Sequence, residues 1–212
     1  MSKYGIIVNA VKCVGCHACF AACKAENLTA PGVRWNHLER VEHMKEGIVD
    51  YFRVSCMHCE EPKCMAVCPA KAISKGPHGE VLVDGAKCIA CHMCEAACPY
   101  HAPKFSDPEK QSYFGAKMPL CAADPKPWTT RPAGKAEHCT LCVHRTSEGG
   151  KPACVEACPT GALTFVDYEK PDDKSAALIR TAQMMNEAAG TGPKVRFISK
   201  LTDFRTMNSV KA

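Results

Sequence analysis

The sequence predicts an α+β protein built from short, loop-rich units, and three observations lead there. Its 212 residues include 17 cysteines, far above ordinary usage for a chain of this length. Sixteen of them fall into four ordered groups: Cys13, Cys16, Cys19, Cys23; Cys56, Cys59, Cys64, Cys68; Cys88, Cys91, Cys94, Cys98; and Cys139, Cys142, Cys154, Cys158. The segment 5–13 also resembles the segment 80–88, each reading as a short apolar run, a turn and then a cysteine run.

Taken in order, Ile6-Ile7-Val8 and Val81-Leu82-Val83 predict short strands. Alanine-rich stretches such as Ala18-Cys19-Phe20-Ala21-Ala22 and Glu95-Ala96-Ala97 predict one or two helical turns, whose small side chains allow close approach to a bound group. In three groups a proline follows the last cysteine, at Pro69, Pro99 and Pro159, and the chain then turns towards strand at Ile73 and Leu163. The repeat unit is thus strand, ligand loop and short helix. Glycine, proline and charge mark the insertion 143–153 as a surface loop, and 124–132 as irregular chain. Apolar positions within 172–188 fit one face of an amphipathic helix, and Val195 and Phe197, alternating with Lys194 and Arg196, predict a final strand.

Three chemistries compete for the cysteines. Disulfide scaffolds are usually short, secreted and not gathered in tight fours. Zinc sites favour two C-x2-C pairs separated by a loop. Here every group begins C-x2-C and ends C-x3-C, and the first and third have the C-x2-C-x2-C-x3-C spacing of bacterial ferredoxins, whose fourth cysteine ligates the other cluster of a pair. Three closely spaced thiolates wrap a cubane, and the fourth is carried away towards a neighbour. Four [4Fe-4S] clusters in pairs follow. Each oxidised cluster with its thiolates carries roughly −2, so the formal charge of +5 falls to about −3. The basic residues therefore offset the clusters, and no nucleic-acid partner is expected.

The ordered cysteine groups of residues 3–170 resemble the four-cluster electron-transfer subunits of the dimethyl sulfoxide reductase superfamily of molybdopterin enzymes. The resemblance implies two ferredoxin-like 2[4Fe-4S] units, one inserted in the other, with loop-rich connections. The outer unit would span 1–50 and 104–170, the inserted unit 51–103, and 171–212 would form a C-terminal helix and strand extension. One cluster would take Cys56, Cys59, Cys64 and Cys98, and its mate Cys88, Cys91, Cys94 and Cys68. The outer unit would hold Cys13, Cys16, Cys19 and Cys158 in one cluster and Cys139, Cys142, Cys154 and Cys23 in the other. Stretches 34–42 and 56–60 are similar to the small subunit of pyrogallol–phloroglucinol transhydroxylase, and 190–198 to both that subunit and the small subunit of respiratory arsenate reductase. The transhydroxylase performs no net redox change and its small subunit has lost cysteines, whereas this chain keeps every ligand. A complete wire implies net electron flow, hence a reductase of an aromatic hydroxyl compound or an oxyanion.

The expected partner is a molybdopterin-containing catalytic subunit, with an external electron donor or a membrane-anchor subunit beyond it. A free soluble polyferredoxin, a wiring subunit of a formate dehydrogenase or hydrogenase, and a metal-stabilised scaffold are the competing readings. The chain shows no apolar run of about 20 residues and no signal peptide, which reads as cytoplasmic, or periplasmic if co-exported with a signal-bearing partner. His17, His58, His92 and His138 lie beside or within the ligand groups, but each group already has four cysteines, so they are read as hydrogen-bonding or surface groups. Cys121 is read as a small buried hydrophobe, and Trp128 as packing over a cluster or at the partner surface. No phosphate loop, dinucleotide fingerprint or nucleophile with a base is present, so no catalytic residue is assigned.

Overall fold

A computed structural model describes residues 3–109 and 132–207 of the protein; Cys121 and Trp128 lie outside them. In order the elements are β1 (Tyr4–Asn9), α1 (Ala18–Asn27), β2 (Asn36–His43), β3 (Ile48–Ser55), α2 (Lys63–Ala66), β4 (Ile73–Lys75), β5 (Val81–Val83), α3 (Met93–Ala97), β6 (Lys104–Phe105), β7 (Ala136–Glu137), α4 (Val143–Thr146), α5 (Ala153–Glu156), β8 (Leu163–Asp167), α6 (Asp173–Thr181), β9 (Gln183–Met184) and β10 (Val195–Ile198). The predicted strands at 6–8, 73, 81–83, 163 and 195–197 are all present. Mixed α and β structure with short helices matches the predicted class.

The main sheet has the order β8-β1-β10-β9. Its central strand β1 pairs antiparallel with β8 and parallel with β10, with Val8 opposite both Leu163 and Phe197. Burial on both faces explains why Ile6, Ile7 and Val8 are a continuous apolar run and not an alternating one. The close approach also fixes Gly5, because a Cβ there would meet the Lys194 carbonyl oxygen at 2.1 Å.

The hairpin β2–β3 packs on this sheet through Phe52, whose ring meets Phe204 edge-on at 4.9 Å, while Phe197 stacks on Phe204 at 4.8 Å. Asp50 pins the hairpin to the C-terminal segment, accepting from Ser199 Oγ at 2.5 Å, Thr202 Oγ1 at 2.6 Å and His43 Nε2 at 3.2 Å. The remaining sheets are the small pairs β4–β5 and β6–β7. Among the described residues no helix is long and apolar enough to cross a membrane.

Two expectations need correction. The amphipathic helix of 172–188 stops at Thr181: Ala182 is extended, and Gln183 and Met184 leave the helix to pair with β10. Burial of Met185 and a hydrogen bond from Phe204 N–H to Gln183 Oε1 stabilise this exit better than another helical turn. The insertion 143–153 is not loop throughout, since it begins with the helical turn α4, whose Thr146 is buried, and reaches its glycine turn only at Gly149.

Candidate metal centres

The four cysteine groups share one backbone device. In each C-x2-C the second intervening residue is left-handed: Gly15 at φ 70°, His58 at 46°, Ala90 at 57° and Leu141 at 55°. That turn aims its N–H back at the first sulfur, at 3.5 Å from His58 to Cys56, 3.4 Å from Ala90 to Cys88 and 3.4 Å from Leu141 to Cys139. Gly15 N–H makes the same bond to Cys13. A second left-handed residue follows the Cys-Pro pairs, at Lys71, His101 and Gly161. It delivers Ala72 N–H to Cys68 Sγ at 3.3 Å and Ala102 N–H to Cys98 Sγ at 3.4 Å. Of the described non-glycine residues with positive φ, only Leu28 and Asn186 lie away from the cysteine groups. His17, His92 and Cys142 join the positions already named, so strain is concentrated in the ligand loops.

None of the sixteen described cysteines is paired in a disulfide. Cys13, Cys16, Cys19 and Cys158 line one pocket. Cys68, Cys88, Cys91 and Cys94 line another, and Cys23, Cys139, Cys142 and Cys154 a third. The remaining four are mutual neighbours: Cys56 interacts with Cys59 and Cys64, and Cys98 with both Cys59 and Cys64. A further pocket beside Trp35, Lys135 and Glu137 is lined by no cysteine and offers no thiol to a cluster. The sets also interact electrostatically in file, through Cys19 and Cys154, Cys139 and Cys56, and Cys64 and Cys94. Cys16 and Cys91 are exposed, whereas the cysteines at the middle of the file are buried.

This donor geometry suits a cubane. Ligands of one zinc ion must converge to about 2.3 Å from it, yet among the described residues no three His, Cys, Asp or Glu side chains gather closely enough to hold a single metal ion. The thiols surround space instead of sharing a point. Burial, reinforced by neighbouring thiolates, pushes Cys19, Cys59, Cys94 and Cys142 up to about 11 and Cys64 up to about 12. Such crowded thiolates need a compensating positive core, which ligated iron supplies. Cys158 runs the other way: burial would raise it, but hydrogen bonds from the Leu163 N–H, the Thr160 hydroxyl and the Ala162 N–H outweigh that and hold it below the usual thiol range.

The polar groups between the thiols complete the fit. His58 and His138, both fully enclosed, face each other with ring centroids 6.3 Å apart. Burial holds them neutral, pushing His58 down to about 3 and His138 to about 4. His58 Nδ1 accepts from Val81 N–H at 3.1 Å, which leaves the proton on Nε2. That Nε2, and Nε of the buried Arg53, have no hydrogen-bond partner among the described residues, as expected of donors whose acceptors are cluster sulfurs. His17 and His92 lie at the exposed rims, where His92 bonds Glu95 at 2.9 Å and stacks on Phe105 at 3.7 Å. Sequence reasoning misses Arg53. In Tyr51-Phe52-Arg53-Val54-Ser55 the alternation places Arg53 opposite Phe52 and Val54, which reads as a solvent face but here faces the thiols.

Comparison with known proteins agrees with this geometry. A 4Fe-4S dicluster domain matches residues 48–123 and 124–168, and a second 4Fe-4S dicluster domain matches 12–72. The chain is therefore an iron–sulfur protein with two ferredoxin-like dicluster domains and four [4Fe-4S] clusters. It is similar to the iron–sulfur subunit of an arsenate respiratory reductase from Shewanella sp. (strain ANA-3), with 33% identity over 92% of this chain and 96% of that protein. The iron–sulfur subunit of a putative dimethyl sulfoxide reductase from Halobacterium salinarum is 33% identical over 94% of this chain and 80% of its own length. A polypeptide of the anaerobic dimethyl sulfoxide reductase of Escherichia coli (strain K12) is 31% identical over 86% and 82%. The chain belongs to this family, the four-cluster electron-transfer subunits of the dimethyl sulfoxide reductase superfamily.

Proposed function

We propose that this chain wires a molybdopterin-containing catalytic subunit to an external electron donor, and that the complex reduces an oxyanion. The observation that carries this reading is the file of four thiol sets with an exposed cysteine at either end, Cys16 and Cys91. When bound, the clusters supply one-electron carriers. The ligand loops hold them in register, the buried middle of the file keeps water from the two inner positions, and the exposed ends offer one face for entry and one for exit. The oxyanion is favoured over an aromatic hydroxyl compound by the arsenate-reducing relative, which matches nearly end to end.

The ligand sets follow the four groupings of thiols: Cys13, Cys16, Cys19, Cys158; Cys23, Cys139, Cys142, Cys154; Cys56, Cys59, Cys64, Cys98; and Cys68, Cys88, Cys91, Cys94. In sequence this is one dicluster unit of residues 51–103 nested within another of 1–50 and 104–170, with β3 carrying the chain from one to the other. Support comes from the pairing of β1 with β8 across the intervening segment, and from the exchange of Cys68 and Cys98 between neighbouring sets.

Isolation of the native complex tests the function. A larger polypeptide containing molybdenum should co-purify, and electron paramagnetic resonance of the reduced material should show four clusters. A monomeric polyferredoxin without molybdenum would contradict it. For the ligand sets, Cys98→Ala should disturb the cluster of Cys56, Cys59 and Cys64; loss confined to the cluster of Cys88, Cys91 and Cys94 would show the pairing to be wrong.

A further inference from the structure

Arg53 is 1% exposed and lies on the thiol face of β3. It lines both the cavity of Cys13, Cys16, Cys19 and Cys158 and that of Cys23, Cys139, Cys142 and Cys154. Its Nη1 donates to Ser55 Oγ at 2.9 Å and its Nη2 to Cys139 Sγ at 3.8 Å. The thiols it interacts with are Cys154, Cys139, Cys19 and Cys23, three from one set and one from the other. Resting on the ligand sets proposed above, we infer that Arg53 is a positioning residue that raises the reduction potentials of these two clusters together and sets them apart from the other two.

The physical reason is charge. A buried guanidinium is permanently protonated, and in a low-dielectric site its field is little screened. Reduction adds one negative charge to a cluster that is already anionic, so a fixed cation beside it favours the reduced form. Hydrogen bonds to cluster sulfur act in the same direction. The set of Cys139 faces Arg53 through three thiols and a hydrogen bond, so it feels the larger effect. Among the described residues the other two sets have no comparably buried guanidinium: the cations acting on Cys59 and Cys98 are Lys75 and Lys104, both partly exposed, and Lys75 is paired with Glu60. Solvent and that carboxylate weaken their influence. Arg145 acts on Cys142 from outside, but it is engaged by Glu26 and Glu156. Arg53 therefore makes the half of the file that ends at Cys16 the place where electrons reside.

The test is a redox titration of the whole complex, followed by electron paramagnetic resonance, with signals assigned through the cysteine variants. In Arg53→Met two midpoint potentials should fall, the Cys139 cluster more than the Cys13 cluster, while the other two stay in place. Arg53→Lys, which keeps the charge, should restore much of the shift. Unmoved potentials in an Arg53→Met complex that retains four clusters would overturn the inference and leave the ligand sets intact. A shift in the signals that Cys98→Ala also removes would instead overturn the ligand sets. Should Arg53→Met not retain its clusters, Arg145→Lys protein with nitrogen-15 in its arginine guanidinium groups provides the second measurement. Nitrogen-15 hyperfine coupling is expected at the reduced Cys139 cluster, and its absence would overturn the inference.

Discussion

Around Cys13 and Cys139 the ligand loops grow out of a four-stranded sheet, a ten-residue helix and three packed phenylalanines. Around Cys64 and Cys88 they grow out of two three-residue strands and helices of four and five residues. The loops themselves are alike, with the same left-handed turn and the same N–H aimed at sulfur. What differs is the support. The smaller region's own core cluster consists of Cys64, Ile73, Val81, Cys94 and Ala136, so two of its five members are candidate ligands. The larger region's core cluster also includes candidate ligands, but it adds Ile6, Val8, Phe52, Phe197 and Phe204, apolar side chains that are not ligands. One ligand device thus serves both a region with a large apolar core and one with little apolar core beside its candidate ligands.

Removing the iron should expose that difference most. Chelation under reducing conditions is expected to abolish hydrogen-exchange protection of β4 and β5, while the amides of β1 retain part of theirs. Equal loss in both regions would show that the larger core does not stand alone. Phe197→Ala attacks the comparison from the other side: it should cost about 3–5 kcal/mol in the larger region, read as earlier chemical denaturation of the main sheet, with the signals of the Cys88 cluster little changed. Asp50→Asn gives a smaller loss, about 1–3 kcal/mol, because Ser199, Thr202 and His43 lose a charged acceptor.

The Asp50 variant also carries a pH signature. Burial alone would raise the Asp50 carboxyl, but hydrogen bonds from Ser199, Thr202 and His43 outweigh it and hold it below its ordinary value. Its stabilisation is therefore full above the unfolded-state value and fades as pH falls through the depressed folded-state value. The gap between wild type and Asp50→Asn, measured by denaturation, should close on acidification over that range. The smallest effect belongs to His92→Ala. His92 is exposed and bonded to Glu95, so four clusters should remain by iron content and only the Cys88 cluster potential should move slightly.

Much of this is legible in the sequence because cysteine spacing is itself geometry. Strands at Ile6, Val81 and Leu163 sit where apolar runs place them, and each of three pockets is lined by three cysteines of one spacing group and one of another. The hairpin β2–β3 escapes the residue pattern, since Asn36-His37-Leu38-Glu39-Arg40-Val41-Glu42-His43 hides its strand character under charge. Arg53 is hidden by the same convention, that the polar face of an alternating strand meets water. Here it meets thiols. The end of α6 escapes too, because helical periodicity continues past Thr181, while the pairing of Gln183 and Met184 with β10 is a tertiary fact.

The parallel pairing of β1 with β10 has a consequence for biosynthesis. Residues 6–9 find their partners at 195–198, so β1 completes its pairing only after a segment nearly 190 residues further along has been made. Closing so long a loop is slow, and until β8 and β10 have both arrived the turn before Cys13 lacks the full sheet behind it. Cys23 and Cys139 likewise come together only after the intervening chain exists. The ligands at that end are thus brought together by long-range contacts, not by local sequence alone.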